Sequence, residues 1–305
     1  MSTQAQAQAQ AQTQTQVSPF KSNCLESKIA LVTGGGSGIC FEITRQLLLH
    51  GCSGAVICGR RADFLVKAAH LLEQETGKQV FHHVLDVRDS QTCVDAVTFT
   101  LQKFGKLDIL VNGAAGNFLS EASQLSPKGF KTVMEIDAQG TFNMCHASFS
   151  ALREGGTGGV VINISATLQY GATWYQAHAS AAKSAVDSLT RTMALEWGVD
   201  HIRVVGIAPG PIADTPGTTK LAPGMDVTDI VAEGIPLGRM GTTWDIGMAA
   251  VYVCSDAGSY VTGDILVVDG GQWLYKPPMV PRDMVAELSR QVEAKSRAQE
   301  PRSKL

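Results

Sequence analysis

From Lys28 onward, short β-branched runs alternate with longer stretches of helical period, and no other feature of the chain restricts its fold as much. Ile29–Thr33 reads as a strand, followed by Gly34, Gly35, Gly36 and Gly38 and then a helix to about His50. Ala55–Cys58, Val80–Leu85, Leu107–Val111, Val160–Ile164, Val204–Ala208 and Ile265–Val268 read as further strands. Helical patterns separate them: about Arg61 to Glu75, around Val94 to Phe104, Ser126 to about Leu152 with Pro127 in the first turn, about Tyr175 to Trp197, and near Asp245 to Cys254. Such alternation implies an α/β fold, a single Rossmann-type doubly wound parallel sheet of about seven strands with helices on both faces. No second core is visible, so residues 23–275 are expected to form one domain. Residues 212–235, rich in Pro, Gly and Thr, are expected to be a lid, because a long irregular loop in a compact domain is usually functional.

Outside that domain the chain is polar. Residues 1–22 form a tail whose Gln/Ala/Thr tract carries no charge and nothing large to bury, and disorder is expected there. The tract lacks the basic and apolar regions of a signal peptide and the arginines of a mitochondrial presequence. Residues 276–305 form an extension with a weakly amphipathic helical pattern (Met284, Val285, Leu288, Val292), which would pack on a partner subunit or stay solvated. Its end, Ser303-Lys304-Leu305, matches the address read by the peroxisomal import receptor, so the peroxisomal matrix is the expected location. A formal charge of −3 argues against a nucleic-acid partner, and no run approaches the ~18 apolar residues of a membrane span. The seven cysteines form no C-x-x-C pair, so reduced, mostly buried thiols and no metal site are expected.

The glycine cluster sits where a strand turns into a helix. There, glycines let the backbone close on a pyrophosphate, and the helix N-terminus favours its charge. Gly34, Gly35, Gly36, Ser37, Gly38 and Ile39 are therefore candidate cofactor contacts. The second strand ends in Cys58-Gly59-Arg60-Arg61, with no acidic residue to take a ribose 2′-hydroxyl. A guanidinium suits a 2′-phosphate through paired hydrogen bonds. Arg60 and Arg61 thus point to NADPH, Arg60 ahead of Arg61, which also suits a solvated helix start.

Two charges fall on apolar stripes. Phe130, Val133, Met134, Thr141, Met144 and Cys145 share a helical face with Asp137. Lys183 shares one with Ala179, Val186, Thr190, Met193 and Trp197. A charge facing inward is expensive unless paired, so Asp137 and Lys183 are candidates for one shared catalytic site. Asp187, four residues after Lys183, is an alternative partner for the lysine on its own helix.

The run Thr33-Gly34-Gly35-Gly36-Ser37-Gly38-Ile39-Cys40 resembles the T-G-x-x-x-G-x-G motif of the short-chain dehydrogenase/reductase family, with Cys40 in place of the last glycine. Asn112-Gly113-Ala114-Ala115-Gly116 resembles the family's N-N-A-G with one residue inserted, and Pro209-Gly210-Pro211-Ile212 with Thr215 its nicotinamide-flanking loop. The resemblance implies adenine contacts from Asp86 and Val87, cofactor contacts from Asn112 and Ala114, and a nicotinamide-ribose contact from Lys183. The family's tyrosine falls on Ala179 and its serine on Ala166, while an asparagine that helps hold a proton-relay water falls on Asp137.

These departures resemble the 2,4-dienoyl-CoA reductase branch of that family, over residues 25–275. The likeness rests on N-G-A-A-G-N-F from Asn112 to Phe118, Asp137, H-A-S-A-A-K from His178 to Lys183, A-P-G-P-I from Ala208 to Ile212, and the terminal S-K-L. The branch implies NADPH-dependent reduction of 2,4-dienoyl-CoA to trans-3-enoyl-CoA in peroxisomal β-oxidation of unsaturated fatty acids. Hydride addition at C5 would leave charge on the thioester oxygen, so no alkoxide calls for a phenol. The chemistry needs a donor for that oxygen and a proton at Cα. Asp137 and Lys183 would hold the water that delivers the proton. Tyr170 and Tyr175 lack the usual spacing from Lys183 and read as structural. The acyl-CoA would touch Arg60, Arg88, Asn117, Phe118, Ser126, Lys128 and Lys220, although Arg88 and Lys128 equally suit solvated helix ends. A homo-oligomer, dimer or tetramer, is also implied. Rival readings are a trans-2-enoyl-CoA reductase of the same organelle and a non-catalytic NADP(H)-binding subunit. A ketone or steroid reductase would need the absent phenol.

Overall fold

A computed structural model describes residues 17–155, 158–215 and 228–298. The 2–16 tract, half of the expected lid with Lys220, and Ser303-Lys304-Leu305 lie outside these residues. The sheet has the seven strands that the alternation predicts: β1 Ile29–Thr33, β2 Gly54–Gly59, β3 Gln79–Val84, β4 Ile109–Asn112, β5 Val160–Ile164, β6 Arg203–Pro209 and β7 Ile265–Val268. Their order is β3-β2-β1-β4-β5-β6-β7, and every pairing is parallel. The order reverses between β1 and β4. That switch point is where open α/β sheets bind ligands, beyond the carboxyl ends of the strands.

Successive side chains of a strand point to opposite faces, and both faces are covered here, which is why β1 and, apart from Asn163, β5 read as near-continuous apolar runs. Ala30, Val32, Ile109 and Val111 face one core, built with α1 (Gly38–Leu49), α2 (Ala62–Thr76) and α8 (Thr243–Cys254). Leu31 and Leu110 face the other, with α3 (Ser90–Phe104), α5 (Gly140–Glu154) and α6 (Ala177–Trp197). The short helices α4 (Pro127–Met134) and α7 (Thr228–Glu233) complete this part of the chain.

Local chemistry sets the helix ends. Asp89 caps α3 by accepting from the Gln91 N–H, and Ser126 caps α4 with Pro127 just inside. Thr242 and Asp245 form a reciprocal capping box on α8. The single long helix expected from Ser126 to Leu152 is interrupted. Glu135–Gln139 form a π-turn between α4 and α5, and the Gly140 N–H reaches back to the Glu135 carbonyl. Gly140 permits this because its backbone presses on Val87, where a Cβ would come within 2.5 Å of Cγ2. Phe130, expected on the buried stripe, is 39% exposed, because the first turns of α4 lie at the surface. Helix α6 begins at Ala177 rather than Tyr175, whose left-handed φ of 62° ends the preceding loop.

The described chain divides into two compact units, one ending at Trp273 and one beginning at Leu274, and the second contains α9 (Val285–Ala298). Among the described residues no helix is long and apolar enough to cross a membrane, and no cluster of three His, Cys, Asp or Glu could hold a metal. Six of the seven cysteines are buried and all are free thiols.

Candidate active site

The loop after β1 and the loop after β4 are built together. Thr33 Oγ1 accepts from the Gly113 and Ala114 N–H groups at 3.0 and 3.1 Å, tying the two across the switch point. Gly34 has φ +71°, and a Cβ there would lie 2.8 Å from the Gly113 carbonyl oxygen. Gly35 is similarly closed in by Ile57. Cys40 takes the position where the dinucleotide motif has its last glycine. Its Sγ fills the space beside Gly113, where a Cβ would come within 1.9 Å. Ser37, the N-cap of α1, makes no side-chain cap hydrogen bond, so the first amides of α1 are open to an anion. Main chain packed too tightly for side chains, ahead of an uncapped helix of 12 residues, fits a pyrophosphate.

At the end of β2, Arg60 and Arg61 are exposed, and the Arg61 guanidinium lies 4.2 Å over the Phe64 ring. Asp86 is engaged by Arg88, whose Nη2 lies 2.5 Å from Oδ2 and whose Nε lies 2.9 Å from Oδ1. Those hydrogen bonds hold the Asp86 carboxyl below the usual carboxylate range, with Arg60 adding a weaker pull. Asn112 donates to Asn163 Oδ1 at 2.8 Å across the β4–β5 register, while its own Oδ1 is buried without a partner. Val87 is buried and its carbonyl accepts from Asn143. Beyond β6, Gly210 runs against Asp269, and Ile212 bridges to Gly241. Thr215 is buried, with Oγ1 3.2 Å from the Ile212 carbonyl.

Asp137 and Lys183 meet. Lys183 Nζ lies 3.0 Å from Asp137 Oδ2, the carboxylate being almost wholly enclosed. Asp137 Oδ1 accepts from the Gly116 N–H at 2.7 Å, and Lys183 Nζ also donates to the Ile164 carbonyl at 2.9 Å. An ammonium has three donors, so two are spent and one is left for a ligand. Asp187 is not the lysine's partner. It accepts from Ser165 Oγ at 2.5 Å and from Gln169 Nε2 at 2.6 Å, so the hydroxyl beside Ala166 is turned into a structural bond. Ala179 is buried and contributes no polar group.

A family model described as Enoyl-(Acyl carrier protein) reductase matches residues 34–272. A crystal structure of a short chain dehydrogenase from Bacillus anthracis is 35% identical and superposes with a TM-score of 0.74, covering 83% of this chain and 100% of that one. The chain belongs to the short-chain dehydrogenase/reductase family. Members of this family bind a nicotinamide cofactor, and the glycine-lined cradle is built for one. Among its relatives, a protein of Arabidopsis thaliana named peroxisomal 2,4-dienoyl-CoA reductase [(3E)-enoyl-CoA-producing] is 52% identical over 94% of this chain and 99% of its own length. A Danio rerio protein of the same name is 44% identical over 84% of each chain.

Against this family background, the remaining candidates group around the pair. Asn117 Nδ2 donates to Gln176 Oε1 at 2.6 Å, and the Ser120 N–H donates to the Tyr175 carbonyl at 2.9 Å. These bonds bind the irregular 113–126 segment to the start of α6. Phe118 stacks on His178 with ring centroids 4.2 Å apart. Ser126 Oγ is occupied in capping α4, and Lys128 is exposed on its first turn. Tyr170 packs edge-on against Trp273, and burial pushes its pKa up to about 12. Tyr175 is half exposed. Sequence reasoning missed three groups that shape the site: the Gly116 amide, the Ile164 carbonyl and the His178 ring. The first two are main chain and leave no side-chain signal. His178 stands next to Ala179 and was legible only as a position.

Proposed function

We propose that this chain is an NADPH-dependent reductase of 2,4-dienoyl-CoA that forms trans-3-enoyl-CoA in peroxisomal β-oxidation of unsaturated fatty acids. Relatives spanning nearly the whole chain carry this activity and this organelle in their names, which supports the reading. The observation that carries it is the Asp137–Lys183 pair at 3.0 Å, beside a position where Ala179 supplies no phenol. Residues Gly34 to Ile39 would hold the pyrophosphate, Arg60 and Arg61 the 2′-phosphate, Asp86 and Val87 the adenine end, and Lys183 the nicotinamide ribose. Asn112, Ala114 and the Pro209–Ile212 loop with Thr215 would line the rest of the cofactor. NADPH, when bound, supplies the hydride.

The chain's own part is proton handling and positioning. Asp137, fixed by the Gly116 amide, holds Lys183 aimed, and the lysine's remaining N–H orders the water that protonates Cα. Basic Arg60, Lys128 and Lys220 would meet the CoA phosphates, while Asn117, Phe118 and Ser126 would lie along the thioester. Arg88 would reach the substrate only by sharing its guanidinium with Asp86. The terminal Ser303-Lys304-Leu305 would be read by the import receptor, and a homo-oligomer is the proposed assembly.

The test is NADPH oxidation, followed optically, with 2,4-hexadienoyl-CoA or decadienoyl-CoA beside a trans-2-enoyl-CoA. Turnover of the dienoyl thioesters supports the reading. Turnover confined to the 2-enoyl thioester would replace it with the enoyl reductase. Binding of NADPH without oxidation by either would make the chain a nucleotide-binding subunit.

A further inference from the structure

His178 is enclosed, with 0% of its surface exposed, yet neither Nδ1 nor Nε2 makes a hydrogen bond of normal geometry, although the Phe118 main chain lies close enough to act on the ring. A neutral imidazole carries one donor and one acceptor, and native interiors leave few such groups unmet. Of the buried side-chain nitrogens among the described residues, only those of His178 are in this state. The ring directly precedes Ala179, the position without a phenol, and lies within the field of the Asp137 carboxylate.

Its cover is the Phe118 ring, stacked at 4.2 Å and tilted by 25°. Phe118 is itself 39% exposed, on a segment with no regular structure, and its Cζ rests against Gly129, where a Cβ would be 3.1 Å away. A half-exposed aromatic on an irregular segment is the part of this arrangement most free to shift. The other donors around the pair are engaged. The Gly116 N–H serves Asp137, Ser165 Oγ serves Asp187, and one N–H of the Asn117 amide serves Gln176.

We infer that the His178 N–H donates to the thioester oxygen of the substrate, and that Phe118 covers the imidazole until the acyl chain displaces it. A donor aimed at an oxygen that gains charge in the transition state is worth more in an enclosed site than in water. The division of labour is then clean: His178 stabilises charge on oxygen, and Asp137 with Lys183 governs the proton at carbon. This inference rests on the 2,4-dienoyl-CoA reading.

The test compares wild type with His178→Phe, which keeps the ring stack and removes the N–H. The expected result is a kcat lower by roughly 10²- to 10³-fold with unchanged NADPH affinity. His178→Gln, which restores an N–H, should recover part of the loss, and His178→Met, its isostere without one, should not. That second pair carries the test if the Phe variant does not fold. With NADP+ bound, wild type should prefer the dienoyl thioester over a thioether analogue lacking the carbonyl oxygen, and the Phe variant should bind both alike. Near-wild-type kcat in the Phe or Met variant, a preference that survives the substitution, or parallel loss of NADPH binding would each overturn the inference. A wild-type enzyme that fails to oxidise NADPH with 2,4-dienoyl-CoA would bring down the underlying reading and this inference together.

Discussion

Lys183 Nζ lies 3.0 Å from Asp137 Oδ2, and each member of the pair is pinned from outside its own helix, the carboxylate by the Gly116 amide and the ammonium by the Ile164 carbonyl. Removing one partner from a buried pair strands the other charge at a cost of about 3–5 kcal/mol, whereas removing both is often nearly neutral. Asp137→Ala should therefore lower stability by that order, and Asp137→Ala with Lys183→Met should regain much of it. Turnover should be lost in both. Denaturant unfolding beside NADPH oxidation checks this, and a double variant that regains activity along with stability would remove the pair from the chemistry.

Cys40 and Gly113 share one space. The thiol occupies the volume that a Gly113 Cβ would need, the two coming within 1.9 Å. Gly113→Ala alone should overpack the site and cost about 1–3 kcal/mol. In a Cys40→Gly background the same change should cost less, although the Thr33 carbonyl at 3.1 Å keeps part of the penalty. Thermal unfolding of the two singles and the double measures the coupling, and strict additivity would show that the two residues do not share the space.

Arg60 is exposed just past the end of β2, where the strand end carries no acidic residue to take a ribose 2′-hydroxyl. Charge-assisted hydrogen bonds to a phosphate are worth about 1.5–3 kcal/mol, so Arg60→Ala should weaken NADPH binding roughly ten- to a hundredfold and leave NADH binding nearly unchanged. Titration of both nucleotides checks it. An equal loss for both would move Arg60 away from the 2′-phosphate.

Much of this architecture was legible because its strands are buried on both faces. Ile29–Thr33 and Val160–Ile164 are such runs, and their observed bounds match the apolar stretches. Asp137 was legible for the opposite reason, as a charge interrupting an apolar stripe. The π-turn that presents it was not, because it depends on Gly140 meeting Val87, a contact distant in sequence. Asp187 misled by spacing alone: four residues from Lys183 it looks like a helical ion pair, but the β5–α6 loop delivers Ser165 and Gln169 to it first. His178 is visible in the sequence, yet that its nitrogens lack hydrogen bonds of normal geometry is a property of the packed structure.

That same histidine has a consequence for stability against pH. Burial holds its pKa below the ordinary 6.5, with Phe118 backbone and Asp137 pulling more weakly the other way. The unfolded chain takes up a proton near 6.5 while the folded chain resists it, so the unfolded state binds more protons in that window and stability rises with pH. The contribution is intact above 6.5 and is lost as pH falls below it toward the folded-state value. His83, also held low by burial, acts in the same direction. Asp86 and Asp245, held low by hydrogen bonds to arginine, lose their contribution only around and below the carboxylate value of 3.8. Wild type should therefore lose stability between about pH 7.5 and 5. His178→Phe should lose less over the same range, the remainder belonging to His83. Urea unfolding at intervals across that range measures both slopes, and identical slopes would mean that His178 is free to take a proton in the folded protein.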